Sequence, residues 1–225
     1  RLELSIPVEK TEIMDLLLRL LHENQLGAER AALRLTLTRG VAARGLAPPA
    51  QSAPTLLMTA VAAPPPPPHM RATLSAHVRS EKSICSQIKT LNYLDNVMAR
   101  NDAARRGVDE ALMCNGAGNI ACASAANIFV VADGVLCTPA AADGALAGIM
   151  RSIVLEAARD MDITMREGAV TPGALASVAC LPSIRAGEGI AIGAGAGARA
   201  GAGAGAASRP PITGGAAGGL TTGGL

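Results

Sequence analysis

Apolar residues between Val8 and Leu26 recur at helical spacing, with Ile13, Leu17, Leu20 and Leu21 on one face. That pattern predicts an amphipathic helix with Gly27 as its stop. The period then falls to two. Leu33–Thr38 alternates leucine with arginine or threonine and predicts a half-buried strand, and Thr55–Val61 reads as a second strand. Between them lies Arg39-Gly40-Val41-Ala42-Ala43-Arg44-Gly45, a glycine-punctuated turn carrying two arginines. Arg71–Arg79 reads as another strand. Leu91–Arg106 reads as a helix, with Leu91, Leu94, Val97 and Met98 inward and Gly107 as its stop. Four short strands follow at Glu110–Cys114, Ile120–Ala123, Asn127–Val131 and Val135–Thr138. The dipeptide Asp133-Gly134 joins the last two as a hairpin. Gly148 opens a helix to about Met161, with Ile149, Ile153, Leu155 and Ala158 as its apolar positions. Ile163–Arg166 predicts one more strand, and Thr171 caps a helix that begins with Pro172.

Ala111–Ala132 carries no charge and is long enough to span a bilayer. Asn115-Gly116, Gly118 and several Asn and Ser residues interrupt it, so it reads as buried strands joined by a turn. Pro64–Pro68 is five prolines in a row, a stiff spacer that marks a boundary between domains. From Ala186 the composition collapses into Gly and Ala. Such a stretch buries too little to offset its ordering entropy and predicts a disordered tail. Gly193, Gly195 and Ala198 satisfy Gly-x-Gly-x-x-Ala, but a Gly/Ala repeat does so by chance. Arg1 in place of an initiating Met reads as a fragment or processed product, and no basic-then-apolar leader is visible.

Charge narrows the partners. Twenty basic and 18 acidic residues leave a net charge of +2, without the basic footprint of a nucleic-acid or membrane-surface binder. Tyr93 and Phe129 are the only aromatics, too few for base stacking. Cys85, Cys114, Cys122, Cys137 and Cys180 form an odd set without Cys-x-x-Cys spacing. That pattern argues against a disulfide framework or zinc site and fits a reducing cytoplasm.

Lys89 stands between a predicted strand and a predicted helix among mostly apolar neighbours. A partly desolvated lysine has a lowered pKa and acts as a nucleophile toward a carbonyl, as attachment of pyridoxal 5'-phosphate requires. On spacing alone, an exposed lysine ahead of a helix is the simpler reading.

The surrounding motifs change that balance. Lys89-x-Leu91-Asn92, Asp109-Glu110-Ala111, Ala126-Asn127-Ile128-Phe129, Asp133-Gly134, Thr138-Pro139 and Gly148-Ile149-x-Arg151 follow one another in order. Thr38-Arg39-Gly40 and Arg44-Gly45 precede them. Together, over roughly Leu33 to Thr171, they resemble the class-IV aminotransferases. That fold-type-IV pyridoxal-phosphate family includes D-amino-acid and branched-chain aminotransferases and aminodeoxychorismate lyase. The resemblance implies an α+β fold of two domains. Residues 1–68 would be an incomplete N-terminal α/β domain with its proline linker. Residues 69–185 would be a strand-rich cofactor-binding domain with flanking helices, and residues 186–225 the tail. It further implies that Lys89 holds the cofactor and moves the α-proton, and that Arg44 grips the substrate carboxylate. Tyr93 would lie near the cofactor's phenolic oxygen, and Gly148, Ile149 and Met150 would bind its phosphate. A cytoplasmic homodimer is implied, with an amino acid and a 2-oxo acid as substrates.

Three departures accompany the resemblance. Cys122 stands where the family places a glutamate on the pyridine nitrogen. The family's opening segment, with its phosphate-binding arginine, is expected before Arg1. Its later phosphate loop is expected after Val178, where this chain runs Ala179-Cys180-Leu181-Pro182 toward the tail. The leading reading is a class-IV aminotransferase, truncated and impaired. The second is aminodeoxychorismate lyase, which Ala125-Ala126-Asn127, Gly148–Arg151 and Leu46 resemble more closely. The third is a decayed copy without activity.

Overall fold

A computed structural model describes residues 2–28, 30–65, 67, 70–176 and the backbone of 189–193. Its order begins with α1 (Lys10–Glu23), β1 (Ala31–Thr38) and β2 (Thr55–Ala62). β1 and β2 pair antiparallel, with Leu35 opposite Met58 and Leu37 opposite Leu56. The predicted face of α1 is the right one: Ile13, Leu17, Leu20 and Leu21 are half-buried while the rest of the helix is largely exposed. Its stop differs from the expected Gly27. Asn24 Nδ2 donates to Leu20 O at 2.8 Å, and Gln25 takes the left-handed conformation at φ 58°. A side-chain amide and a tolerated left-handed residue thus end the helix before the glycine.

β3 (Ala72–Leu74), α2 (Ile84–Gln87) and α3 (Leu94–Arg105) come next. The strand expected over Arg71–Arg79 is only three residues long. Beyond it, Ser75 N and Arg79 N donate to Leu112 O and Cys114 O as loop contacts. Hence Lys89 lies between two helices rather than between a strand and a helix. α3 also turns a different face inward. Asn96, Ala99 and Ala103 are buried, while Leu91, Leu94 and Val97 are exposed. Small residues at i and i+4 let the helix press closely on the strands beneath, which outweighs the larger apolar stripe.

The strands β4 (Glu110–Cys114), β5 (Ile120–Ala123), β6 (Asn127–Ala132) and β7 (Val135–Thr138) follow the sequence pattern closely. The uncharged stretch is therefore sheet. Among the described residues no helix is long and apolar enough to cross a membrane. α4 (Ile149–Asp160), β8 (Met165–Glu167), α5 (Pro172–Ala176) and β9 (Gly189–Gly193) complete the order. Thr171 Oγ1 accepts from Ala174 N at 3.2 Å, as the cap before Pro172 predicts.

Two mixed sheets result. One runs β3-β4-β5, with β3 parallel and β5 antiparallel to β4. The other runs β8-β7-β6-β9, with β7 antiparallel to β6 and both outer pairs parallel. Asp133 and Gly134 have φ of 50° and 77°, the paired positive values of the expected tight hairpin. β4 alternates between cores: Leu112 joins Ile120, Ile128 and Val130, whereas Ala111 and Met113 join Ala99, Ala103 and Ala121. A sheet buried on both faces explains why this region reads as continuous apolar sequence. β9 corrects the expectation of a tail starting at Ala186, because Gly189–Gly193 pairs parallel with β6. The remainder of that expected tail, and the loop after Val178, lie outside the described residues.

Candidate functional site

One pocket gathers the chemistry. Arg79, Lys89, Tyr93, Asn96, Leu146 and the run Cys122–Asn127 line an open cleft. Local capping sets the lysine segment. Ser83 Oγ accepts from Cys85 N at 3.2 Å and starts α2, and Ile88 returns to extended backbone. Thr90 Oγ1 then accepts from Asn92 N at 3.0 Å, which turns the chain into α3. Lys89 lines the cleft and is exposed rather than desolvated as its apolar neighbours suggested. Its Nζ lies 5.9 Å from the centre of the Tyr93 ring, at the outer reach of a cation–π contact.

Beneath the cleft runs a buried polar chain. Arg79 Nη1 donates to Asn96 Oδ1 at 3.4 Å, and Asn96 Nδ2 donates to Ser124 O at 2.7 Å. Ser124 Oγ donates to Glu110 Oε1 in a short hydrogen bond. Ala111 N also donates to that oxygen at 2.8 Å, and Arg100 Nη1 meets Glu110 Oε2 at 3.3 Å. Satisfied networks of this kind hold neighbouring segments in one arrangement. Sequence reasoning missed Arg79, Asn96 and Asn127 as lining residues. The available signal was weak: Arg79 ends an apolar run, and Asn96 sits on the helix face that pattern reading assigned to solvent.

Of the sequence candidates, Lys89, Tyr93 and Cys122 come together in this pocket. Gly148 is the N-cap residue of α4, which has no side-chain cap and no acidic residue in its first turn. A Cβ on Gly148 would lie 3.6 Å from Asn127 Nδ2, so the helix start borders a lining residue. Met150 is half-buried and Ile149 is 80% exposed. The uncapped first-turn amides are the donors an anion uses. Arg44 is exposed on the β1–β2 connection and is not among the residues lining the pocket.

Cys122 is 6% exposed. Burial pushes its thiol up to about 11, against the pull of the Arg79 charge and with a further push from Glu110. It is therefore a neutral S–H at neutral pH and brings no negative charge to the cleft. The raised value has a consequence for stability. Below pH 9 the thiol is protonated in both folded and unfolded chains. Between about pH 9 and 11 only the unfolded chain ionises, so stability falls as pH rises. Two units correspond to about 2–3 kcal/mol. Urea titrations at pH 8 and pH 10.5 should show a larger loss in the native sequence than in Cys122→Ala, where only the burial-raised Cys114 thiol remains to contribute in this way. Equal losses in both would remove Cys122 as the cause.

Comparison with known proteins gives the family. The family model described as Amino-transferase class IV matches residues 1–197. The chain belongs to the class-IV aminotransferases. Within that family it is 35% identical over 171 residues to a Methanocaldococcus jannaschii protein named "Putative branched-chain-amino-acid aminotransferase", covering 75% of this chain and 59% of the relative. It is 31% identical over 176 residues to the D-alanine aminotransferase of Listeria monocytogenes, covering 76% and 60%. The chain thus spans about three fifths of the length of these relatives. Its fold matches a Legionella pneumophila crystal structure titled "Putative 4-amino-4-deoxychorismate lyase", with TM-score 0.68, 22% identity and coverage of 75% and 62%. The α+β class expected from the motifs is therefore the observed one. Class-IV enzymes are pyridoxal-phosphate-dependent aminotransferases or lyases. The site fits that cofactor in two respects: the pocket holds an amine, and the uncapped start of α4 borders its lining residue Asn127. The neutral Cys122 thiol departs from it in a third.

Proposed function

We propose that this chain carries the cofactor-binding part of a pyridoxal-phosphate enzyme that moves an amino group between an amino acid and a 2-oxo acid. The observation that carries the reading is Lys89 in one cleft with Tyr93 and Cys122, bordered by the start of α4. When bound, pyridoxal 5'-phosphate supplies an electron-withdrawing ring that acidifies the α-C–H bond of an amino acid. Lys89 Nζ would hold the group, and the same amine would accept and return the α-proton. The amides of Ile149 and Met150, opened by Gly148, hold the phosphate. Tyr93, beside Lys89 in the lining, would lie near the phenolic oxygen. Cys122, matched by resemblance to the family's ring-nitrogen partner, would offer that nitrogen only a weak neutral donor. Arg44 is assigned to the substrate carboxylate on resemblance alone.

The same reading divides the chain at Pro64–Pro68, with residues 69–185 as the cofactor-binding domain and the β9 strand added to it. It makes the protein a cytoplasmic homodimer whose partners are small acids rather than nucleic acid or membrane. Aminodeoxychorismate lyase is the second reading, because the lyase-like run Ala125-Ala126-Asn127 lines the pocket. Incubating the cofactor-loaded chain with leucine or D-alanine plus 2-oxoglutarate should yield glutamate. Release of 4-aminobenzoate from aminodeoxychorismate would select the lyase instead. Neither product from a chain that retains the cofactor would leave an inactive copy.

A further inference from the structure

The first turn of α4 gains little from apolar packing. Ile149 and Ser152 are exposed and Met150 is half-buried. Apolar packing begins further along the helix, where Val154, Leu155 and Ala158 meet Phe129 and Leu136. Arg151 is the buried residue of that turn, at 6% exposure. Its Nη2 donates to Pro139 O at 2.9 Å and to Glu167 Oε2 at 2.7 Å. One guanidinium nitrogen thus fastens the helix start to the residue after β7 and to the last residue of β8. The tether continues to the cleft. Thr138, next to Pro139, is buried, and its Oγ1 donates to Ile128 O on β6 at 2.7 Å. Asn127, next to Ile128, lines the cleft and borders Gly148.

Stability alone does not account for a charge at this place. Arg151 Nε is buried without a hydrogen-bond partner, and the counter-ion Glu167 is 43% exposed. Desolvating the arginine is therefore only partly offset, and an apolar side chain of similar volume often serves a fold as well as a buried ion pair. What the guanidinium adds is direction, because a planar group held by two acceptors fixes the turn that carries it. We infer that Arg151 is a positioning residue, which holds the open amides of Ile149 and Met150 beside the Lys89 cleft so that a phosphate group meets donors already oriented. Its own donors are turned to Pro139 and Glu167, so it acts through the backbone of its turn. The inference rests on the amino-transfer reading for the source of that phosphate, the cofactor.

Dissociation constants of the full chain for pyridoxal 5'-phosphate and for pyridoxal, which lacks the phosphate, test it. The factor by which the phosphate tightens binding isolates what the helix start contributes. A residue that only supported the fold would weaken both compounds alike and leave that factor unchanged. Arg151→Met should lower the factor by about 10-fold or more, the scale on which a misplaced donor set loses its effect, with pyridoxal affinity and thermal midpoint little changed. Arg151→Lys keeps a charged donor and should recover part of the loss. Glu167→Ala removes the half-exposed partner and should lower the factor by less than Arg151→Met; with the lysine variant it carries the test if the methionine variant does not fold. An unchanged factor in the folded variants would overturn the inference, as would equal weakening of both compounds. So would a native chain that binds pyridoxal and gains nothing from the phosphate. Failure of the amino-transfer reading, which would overturn this role as well, shows differently, as a native chain that retains neither compound.

Discussion

Lys89→Ala should leave the chain unable to hold pyridoxal phosphate covalently and should cut amino transfer by roughly 10²–10⁴-fold, the usual contribution of a positioned acid–base group. The size follows from the cleft. Arg79 is the other cation that lines it, and a guanidinium stays protonated and cannot serve as the nucleophile. The chain's other lysines, Lys10 and Lys82, are absent from the lining. No second amine in the pocket can therefore take over. The fold should tolerate the change, because Lys89 is exposed and the turn into α3 is made by Thr90 and Asn92. An unchanged thermal midpoint with lost activity is the expected pair of results. Amino transfer persisting at the native rate would remove Lys89 from the chemistry.

Glu110→Ala should destabilise the chain by about 2–4 kcal/mol. The carboxylate is 7% exposed and is the common acceptor for Ser124 Oγ, Ser124 N and Ala111 N. Removing an acceptor from buried donors costs roughly 1–3 kcal/mol for each donor left unpaired. A fully buried ion pair would add more, to about 3–5 kcal/mol. Arg100 is 48% exposed and is resolvated when its partner goes, which holds the figure below that range. Glu110→Gln retains an acceptor and should lose about 1 kcal/mol. Urea unfolding of both variants checks the order. Because Ser124 also receives Asn96, the alanine variant should loosen the Cys122–Asn127 run and weaken cofactor retention along with stability. A fully stable Glu110→Ala would mean that the network does not support the pocket.

The sheet region was legible because burial on both faces writes itself into sequence. β4 to β7 are short apolar runs separated by Asn115-Gly116 and Asp133-Gly134, and turn chemistry fixed their boundaries to within a residue. The lysine, tyrosine and cysteine of the pocket were likewise found from ordered motifs. The helix α3 was read on its wrong side, because a stripe of Leu91, Leu94, Val97 and Met98 outweighs Ala99 and Ala103 on any hydrophobic scale. Close packing favours the small residues, and sequence hydrophobicity carries no record of distance. Arg79 and Asn96 escaped for a related reason. A buried polar residue looks like a surface one until its partners are known, and those partners come from segments far away in the chain, such as Gly144 and Ser124. Glycine content likewise suggested a tail where backbone pairing to β6 makes a strand at Gly189–Gly193.

Covalent capture of the cofactor tests the central claim most directly. The full chain is incubated with pyridoxal phosphate, reduced with borohydride, digested and read by mass. A phosphopyridoxyl group on the peptide containing Lys89 is the predicted result. Modification confined to Lys10 or Lys82, or none at all, would contradict it.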